Sequence, residues 1–239
     1  MSGIKYENVG GAAIAEDGGA LMLTTDAFLL EAFVKKNGKQ SVCELCSGTG
    51  IVSAMLLSDK KAATCECVDF QEKLCELAKK NAENYGGKMT VVRSDVLDYR
   101  PARVFDAAVC NPPYYRRGSK PSQSRENDLC RRESTAVIGD FAACASRALR
   151  DGGDAYFCYT PERMPELITA CRENRLEPKV LVPVYPDRGR GCGLILLSAK
   201  KNASPGLIIT RPLYLRDNGN ITDEYEKITN NHTAEFLYE

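Results

Sequence analysis

The sequence of 239 residues has no net charge, a single histidine and no long apolar run. Because 32 basic residues balance 32 acidic ones, the chain is not a polycation, and any affinity for nucleic acid must be local. The missing apolar run argues against a membrane-spanning helix, and the N-terminus has no charged segment followed by an apolar one, so a soluble cytoplasmic protein is expected. The histidine, His232, lies in a polar tail and is a poor candidate for a catalytic base.

Two nucleotide-binding motifs are also missing, the G-x-G-x-x-G fingerprint and the G-x-x-x-x-G-K-[ST] phosphate loop. Residues 41–50 nevertheless predict a short apolar strand that ends in a loop of small residues, followed by a helix over 51–58. Such a strand, turn and helix N-terminus form a nucleotide cradle, in which Gly48 and Gly50 allow close approach to the backbone. With only two glycines, a ligand smaller than a diphosphate is favoured. Glu44, at the strand end, is either a ligand for an ammonium group or a plain acidic loop residue.

Eleven cysteines would suggest disulfides in a small secreted chain, but here many lie inside apolar runs, which is typical of reduced, buried thiols. Those in apolar runs are Cys43, Cys65, Cys67, Cys110 and Cys158. Strong zinc sites pair two Cys-x-x-Cys knuckles. Cys43 and Cys46 have that spacing, whereas Cys65 and Cys67 are one residue apart in a predicted strand, so no metal site is expected.

Two further acids each follow an apolar run. Asp69 ends the run 63–69, about twenty residues beyond the glycine turn, where a carboxylate can accept hydrogen bonds from ribose hydroxyls. Asp95 follows the run 89–93 and can accept from an adenine amino group, with Val96 and Leu97 against the ring. Any one of these acids can be a solvated loop charge. Three acids at three successive strand ends favour a nucleoside-containing ligand.

Residues 111–114 read Asn-Pro-Pro-Tyr and follow the apolar run 105–110. The Asn111 amide oxygen can accept one hydrogen of an amino group on a flat ring, and a proline carbonyl can accept the other. The prolines fix their own φ angles and restrict the residues before them, so the carbonyls point in a set direction. Tyr114 offers a face on which a base can stack, which stabilises by roughly 1–3 kcal/mol. The alternative is a purely structural turn after a strand.

Strands and helices alternate along the chain, which favours an α/β fold with a mostly parallel sheet covered on both faces. Helices are predicted at about 25–36, capped by Thr25, and at about 49–59, 71–84, 135–150 and 162–174. Seven strands are predicted near 41–45, 63–69, 88–93, 105–110, 153–159, 178–185 and 192–199. Residues 10–19 are small and irregular by pattern. One more strand, 207–215, is predicted before a polar end that is expected to be mobile.

These motifs together resemble the class I S-adenosylmethionine-dependent methyltransferases, and among them the amino-methylating group with an (Asn/Asp)-Pro-Pro-Tyr motif. The sequence is most similar to the bacterial tRNA1(Val) adenine-37 N6-methyltransferase family. The similarity covers nearly the whole chain and is carried by residues 23–30, 44–50, 69, 95, 111–114 and 205–213. Glu44 stands where aspartate is usual, and Asp69 where glutamate is common, so both carboxylates are kept.

The resemblance implies a Rossmann-like methyltransferase fold with a seven-stranded sheet that ends in an antiparallel hairpin. It implies a helix in residues 1–39 that packs on the cofactor site, a core at 40–201 that binds S-adenosyl-L-methionine, and a C-terminal strand and tail at 202–239. The implied cofactor-binding residues are Thr25, Asp26, Glu44, Cys46, Gly48, Gly50, Asp69, Phe70, Asp95, Val96 and Asn111. The implied catalytic residues are Asn111, Pro112, Pro113 and Tyr114. The implied partner is tRNA, without a membrane or a metal, for a monomer or a homodimer.

A long segment without helix or strand pattern follows the Asn-Pro-Pro-Tyr motif. Residues 115–132 contain six Lys or Arg and two acids, a local charge of +4 (six minus two). Long loops inside domains are usually functional or disordered. The segment is therefore either a loop that binds the phosphates of tRNA or a solvated, flexible loop. The candidate RNA-binding residues are Tyr115, Arg116, Arg117, Lys120, Arg131, Arg132 and, in a weaker patch that also holds Lys200 and Lys201, Arg188 and Arg190.

Other functions of the same motif remain open at this stage. Asn-Pro-Pro-Tyr also serves methylation of a glutamine amide in release factors, but that family carries an N-terminal helical domain, for which a first core strand predicted to begin at Ser41 leaves little room. DNA adenine methylation usually requires a recognition domain, for which there is also little room. A non-catalytic RNA-binding protein of the same fold is a third alternative. A nicotinamide oxidoreductase is disfavoured by the missing third glycine.

Overall fold

The computed structural model describes residues 24–112 and 136–234 in full, and the backbone alone of residues 5–9 and 12–16. The strands are β1 (Lys5–Val9), β2 (Ala12–Glu16), β3 (Ser41–Leu45), β4 (Thr64–Asp69), β5 (Met89–Arg93), β6 (Phe105–Cys110), β7 (Leu149–Tyr159), β8 (Leu176–Tyr185), β9 (Leu194–Lys201), β10 (Ile208–Ile209), β11 (Leu213–Tyr214), β12 (Arg216–Asp217) and β13 (Asn220–Ile221). The helices are α1 (Thr25–Phe33), α2 (Ile51–Ser58), α3 (Glu72–Glu83), α4 (Ile138–Ala148), α5 (Met164–Glu173) and α6 (Asp223–Asn231). Within these ranges, no helix has the length and apolar character needed to cross a bilayer.

One central sheet contains β3 to β11. Its order is β10-β8-β9-β7-β6-β3-β4-β5, and β11 pairs with β8 beyond β10. The strands β3 to β7 run parallel to one another, whereas β9 lies antiparallel between β7 and β8. The predicted α/β fold with a C-terminal antiparallel hairpin is therefore confirmed.

Helices cover both faces of this sheet, which explains the continuous apolar runs of the central strands. Successive residues of a strand point to opposite faces. In β3, Val42 lies in a core that contains residues of α1 and α2, whereas Cys43 lies in a second core that contains residues of α4 and α5. The described cysteines form no disulfide, and those named in apolar runs are buried.

The sheet has nine strands rather than seven because the segment of the further predicted strand 207–215 also joins it, as two short strands. Both β10 and β11 pair in parallel with β8. Between them lie Thr210, Arg211 and Pro212, and a proline has no N–H to donate to a sheet ladder. The single predicted strand is therefore interrupted at that point.

Both ends of the chain contain more regular structure than the sequence predicts. The segment predicted to be irregular contains β2, which pairs antiparallel with β1. In the C-terminal tail, β12 pairs with β13, and α6 follows, with the Thr222 hydroxyl accepting a hydrogen bond from the Tyr225 N–H at 3.2 Å. Ile228 of α6 is fully buried, and the Ala234 N–H donates to the Ala32 carbonyl of α1 at 3.0 Å. The expectation of a mobile tail is wrong up to residue 234, because these contacts attach it to the core.

Helix α1 also differs in its bounds. Its N-cap is Thr24 rather than Thr25, since the Thr24 hydroxyl accepts from the Ala27 N–H at 3.3 Å. The helix ends at Phe33 because Val34 has an extended backbone, with φ −65° and ψ 125°. It therefore ends earlier than predicted at its C-terminus.

Candidate active site

The candidate site lies at the carboxyl ends of the parallel strands, where the strand order reverses. From β3 the chain continues to β4 and β5 on one side, and then returns to β6 and β7 on the other. In parallel sheets, ligands bind outside the carboxyl ends of the strands at such a switch point. The loop after β3 and the residues after β6 border it directly, because Leu45 of β3 is paired with Cys110 of β6.

The loop after β3 has a backbone that turns sharply into α2. Positive φ angles occur at Cys46 (55°), Gly48 (55°) and Gly50 (74°). A Cβ at Gly50 would lie 2.3 Å from Met89 Cε and 3.2 Å from Cys67 Sγ, whereas nothing lies within 4 Å of a Cβ built at Gly48. Gly50 is thus required for packing inside the protein. Gly48 borders open space, which leaves its backbone accessible to a ligand.

Glu44 points into the protein beneath this loop. Its side chain is buried, and its Oε2 accepts a hydrogen bond from the Ser53 N–H in the first turn of α2 at 2.9 Å. Burial raises the pKa of Glu44 to about 7, against the hydrogen bonds from Ser53. Glu44 therefore stabilises the turn that leads into α2, and its predicted contact with an ammonium group stays a prediction.

Five of the residues predicted to bind the cofactor line one cleft. The cleft is partly open to solvent. Its lining residues are Cys46, Val68, Asp69, Phe70, Ser94, Asp95, Val96 and Phe141. The ends of β3, β4 and β5 thus converge with one side chain from α4, as the positions of the acids after the strands predict.

Both acids of the cleft are held by backbone N–H groups. Asp69 Oδ2 accepts from the Gly48 N–H and Oδ1 from the Gln71 N–H, each at 2.9 Å. Burial raises the pKa of Asp69, and these hydrogen bonds oppose the shift. Asp95 Oδ1 accepts from the Leu97 N–H at 2.9 Å. Because a carboxylate offers about four lone-pair sites, both acids keep the capacity to accept from a ligand.

Phe141 and Ser94 line the cleft but were not predicted from the sequence. Phe141 belongs to α4 and is buried in the core. The spacing of apolar residues in α4 indicates that one face of the helix is buried. That spacing does not indicate which part of the face meets the strand ends. Ser94 stands directly before Asp95 and follows β5, so its position after the strand was a usable signal.

The side chains of this cleft match the chemistry of the adenosine part of S-adenosylmethionine. Carboxylates at two adjacent strand ends match hydroxyl and amino donors, and Phe70, Val96 and Phe141 supply apolar surface for a flat ring. Among the described residues, the buried Ser47 hydroxyl has no hydrogen-bond partner, and it lies beside Gly48, whose backbone is open to the outside. A polar atom of this kind is commonly satisfied by a bound group.

The start of the Asn-Pro-Pro-Tyr motif lies at the same edge. Asn111, which is half-buried, and Pro112, which is buried, directly follow β6. Pro113 and Tyr114 lie outside the described residues, as do Tyr115, Arg116, Arg117, Lys120, Arg131 and Arg132. Their predicted roles in catalysis and RNA binding stay predictions.

The remaining predicted residues do not line the cleft. Thr25 and Asp26 form the first turn of α1, where Thr25 is exposed and Asp26 is half-buried. Arg188 and Arg190 follow the carboxyl end of β8 and are exposed. The single histidine, His232, lies next to α1 and the end of α2.

The strand order, the glycine loop at the switch point and the two acids define a class I S-adenosylmethionine-dependent methyltransferase. The chain belongs to the methyltransferase small domain family, whose model matches residues 24–163. It uses S-adenosyl-L-methionine as its cofactor.

Relatives support this assignment, and a solved structure has a similar fold. The chain is 32% identical over 179 residues to a tRNA1(Val) (adenine(37)-N6)-methyltransferase from Pedobacter heparinus, which covers 74% of this chain and 76% of the relative. It is 26% identical over 219 residues to the enzyme of that name from Actinobacillus pleuropneumoniae, which covers 90% of this chain and 92% of the relative. A predicted O-methyltransferase from Agrobacterium tumefaciens has a similar fold, with a TM-score of 0.69, 20% identity and coverage of 88% of this chain and 98% of that one.

Proposed function

We propose that the protein methylates the N6 atom of an unpaired adenine in tRNA, at position 37 of the anticodon loop, with tRNA1(Val) as the expected species. The names of relatives at 24–32% identity support this substrate. The observation that carries the proposal is the place of Asn111 and Pro112 directly after β6, at the switch point and at the same sheet edge as the cofactor cleft.

The proposed role of these two residues is to prepare a poor nucleophile. The lone pair of an adenine amino group is delocalised into the ring. The Asn111 side-chain oxygen and the Pro112 carbonyl oxygen would each accept one amino hydrogen, which favours a pyramidal nitrogen with a directed lone pair. These hydrogen bonds strengthen as the nitrogen gains positive charge, so they act mainly in the transition state.

The cleft residues would hold the cofactor by its adenosine part. Asp69 would accept from the ribose hydroxyls and Asp95 from the adenine amino group, with Phe141 and Val96 against the ring. When bound, S-adenosylmethionine supplies a methyl group that is already activated by a sulfonium, so the protein contributes orientation and electrostatics. Tyr114 would provide the stacking surface for the target base.

An unpaired base lowers the cost of this arrangement. A base in an anticodon loop is not held in a duplex, so it is extruded at a smaller cost than a paired one. The basic segment 115–132 would bind the phosphates beside it. The proposal keeps the cytoplasmic location expected from the sequence and leaves both a monomer and a homodimer open.

The test is transfer of tritium from methyl-labelled S-adenosylmethionine to total tRNA, followed by mapping of the modified nucleoside. N6-methyladenosine at position 37 is the expected product. Parallel reactions contain duplex DNA or a release factor, and label in either of these with none in tRNA would contradict the proposal. Cofactor binding without transfer to any of the three would favour the non-catalytic alternative.

A further inference from the structure

An aromatic and basic cluster stands at the sheet edge that carries the candidate active site. Because β8 is antiparallel to β9, and β9 to β7, β8 runs parallel to β7. Tyr185 is the last residue of β8, and Tyr214 of β11 pairs with it. Both tyrosines therefore lie at the carboxyl edge, together with Asn111.

The register of the strands places this cluster beside the candidate active site. Cys110 aligns with Phe157 of β7, Phe157 with Leu197 of β9, and Leu197 with Leu181 of β8. Three strand spacings separate β6 from β8, roughly 14 Å. Tyr185 lies four positions beyond Leu181, which is roughly 13 Å further along the strand direction. One base cannot contact Asn111 and Tyr185 together, whereas a ligand of several nucleotides is long enough to reach both.

The cluster combines two tilted aromatic rings with a cation. The rings of Tyr185 and Tyr214 have centroids 5.1 Å apart with an interplanar angle of 39°. The Arg188 guanidinium lies 4.6 Å from the centroid of the Tyr214 ring, and its Nε lies 2.9 Å from Asp217 Oδ2. The Arg188 side chain is 51% exposed. Since arginine has five N–H donors, the contact through Nε leaves donors for a second anion.

Hydrogen bonds from backbone N–H groups hold the surrounding loops in place. The Asp187 carboxylate accepts from the Gly189 N–H at 3.1 Å and from the Gly219 N–H at 3.0 Å. The Arg188 N–H donates to the Arg216 carbonyl at 3.1 Å. The cluster is thus ordered before any ligand arrives, which lowers the entropic cost of binding.

The local charge suits an anion. The three arginines at this edge, Arg188, Arg190 and Arg216, are exposed, against Asp187 and Asp217, so the local charge is +1 (three minus two). Both acids already contact N–H groups or Arg188. Aromatic rings combined with arginines are the features that bind single-stranded nucleic acid, through base stacking and phosphate contacts.

We propose that Tyr185, Tyr214 and Arg188 form a second RNA-binding surface, which holds a nucleotide and phosphate of the substrate outside the methylated adenine. This inference rests on the proposed function and adds two tyrosines that the sequence did not indicate. Tyr214 would supply the stacking face, and Arg188 the phosphate contact through the N–H donors that its ion pair with Asp217 leaves available.

The test compares two variants that break the same ion pair in the full-length protein. Arg188→Gln removes a phosphate contact, so RNA binding weakens and the slope of log Kd against log salt becomes shallower by about 0.7. Asp217→Asn frees Arg188 and removes a negative charge, so RNA binding strengthens. A purely structural ion pair would change binding in the same direction in both variants, and that result would overturn the inference.

Steady-state kinetics with tRNA test the stacking role. Tyr214→Leu should raise the KM for tRNA about tenfold, with kcat and the Kd for S-adenosylmethionine unchanged, whereas Tyr214→Phe should retain the KM of the native protein. Two matched controls, Arg103→Gln and Tyr85→Leu, lie at the opposite edge of the sheet, where the strands begin. Arg103 is also an arginine next to an aromatic ring, since its guanidinium lies 5.0 Å from the centroid of the Phe105 ring. Neither control should change RNA binding.

The outcomes separate this inference from the function on which it rests. If the native protein labels tRNA and Arg188→Gln and Tyr214→Leu match it in KM and salt slope, the second surface is refuted and the function stands. If the native protein labels no tRNA, the proposed function fails and this inference fails with it. If Tyr214→Leu loses cofactor binding through misfolding, the opposed pair Arg188→Gln and Asp217→Asn decides alone.

Discussion

His232 Nδ1 lies 2.9 Å from Asp59 Oδ2, which places the residue after α6 against the end of α2. The same nitrogen lies 3.7 Å from Oε2 of the fully buried Glu31 in α1, and the His232 ring meets Phe28 edge-on at 5.4 Å. The His232 nitrogen and the two carboxylates lie within ion-pair distance, but their geometry is not that of a hydrogen bond. The C-terminal helix is therefore attached to two core helices by a contact that depends on charge.

The stability of the fold should fall as the pH rises through neutrality. Glu31 and then Asp59 raise the pKa of His232 above 6.5, against burial and the charge of Lys61. A folded-state pKa above the unfolded value means that protonated His232 stabilises the fold. This contribution is complete below the unfolded pKa and is lost as the pH rises through the folded one. Burial and then Glu31 raise the pKa of Asp59 to about 6. Protonated Asp59 therefore also stabilises the fold, and this contribution is lost at lower pH than that of His232.

Urea unfolding of the native protein and of His232→Gln, at about pH 6 and about pH 8.5, measures this effect. The native protein should lose more stability between the two values than the variant. Hydrogen exchange of the Ala234 amide measures the local stability of the tail, because this N–H donates a hydrogen bond to the Ala32 carbonyl of α1. Equal losses in both proteins would show that His232 does not carry the dependence.

Lys61 and Glu31 form a buried ion pair whose disruption should be costly. Lys61 Nζ lies 3.1 Å from Glu31 Oε1, with both side chains at most 2% exposed, and it also donates to the Glu31 carbonyl at 2.7 Å. Lys61→Met removes the nearer of the two cationic neighbours of the buried Glu31 carboxylate. At a pH at which His232 is neutral, the variant should lower the free energy of unfolding by about 3–5 kcal/mol. The double variant Glu31→Leu, Lys61→Met should recover most of this loss in denaturant titrations. A single variant as stable as the native protein would contradict this interpretation.

The sequence predicts the strand ends well because each acid follows directly on an apolar run. If the strands are parallel, the carboxyl ends of β4 and β5 lie at the same edge of the sheet. That single assumption predicts that Asp69 and Asp95 line one cleft. The opposite case is α6, whose pattern is polar and whose single fully buried residue is Ile228. Its position depends on contacts with α1 and α2, which lie near the other end of the chain. No local pattern reports such contacts.

The N-terminal hairpin was missed although its signal is present. Gly10 and Gly11 stand between β1 and β2, and Val9 pairs with Ala12, so a Gly-Gly pair connects the strands. Such a pair between two strand-like segments is a hairpin signal. Residues 10–19 are mostly small residues with weak strand propensity, and this composition favours the prediction of an irregular structure.

Phe141 should contribute to cofactor affinity through its place in the cleft. Phe141→Leu keeps an apolar side chain but removes part of the surface against the cofactor ring, so the Kd for S-adenosylmethionine should rise several-fold. Phe105→Leu is the matched control, since Phe105 belongs to the same core but not to the cleft. Both changes should cost a similar stability, about 1–2 kcal/mol. Isothermal titration that gives the same Kd for both variants would remove Phe141 from the cofactor site.

Gly48 and Gly50 should respond differently to alanine. Both have positive φ, which costs an alanine roughly 1–2 kcal/mol. At Gly50 the new Cβ also meets Met89 Cε and Cys67 Sγ, so Gly50→Ala should lower the melting temperature more than Gly48→Ala. At Gly48 the Cβ enters open space beside the cleft, so cofactor affinity should fall more than stability. Thermal unfolding and titration with S-adenosylmethionine separate the two effects, and a reversed ranking would contradict the assigned roles.

Asn111 should matter for the rate of transfer and little for binding of the cofactor. Asn111→Ala removes one of the two proposed acceptors for the amino hydrogens, and loss of one transition-state contact costs on the order of 3 kcal/mol, about a hundredfold in kcat. Asp69→Asn is the complementary control, because it should raise the Kd for S-adenosylmethionine while the acceptors at the target amine remain. Single-turnover transfer at saturating cofactor measures the rate without the binding step. A near-native rate in Asn111→Ala would show that other groups activate the amine.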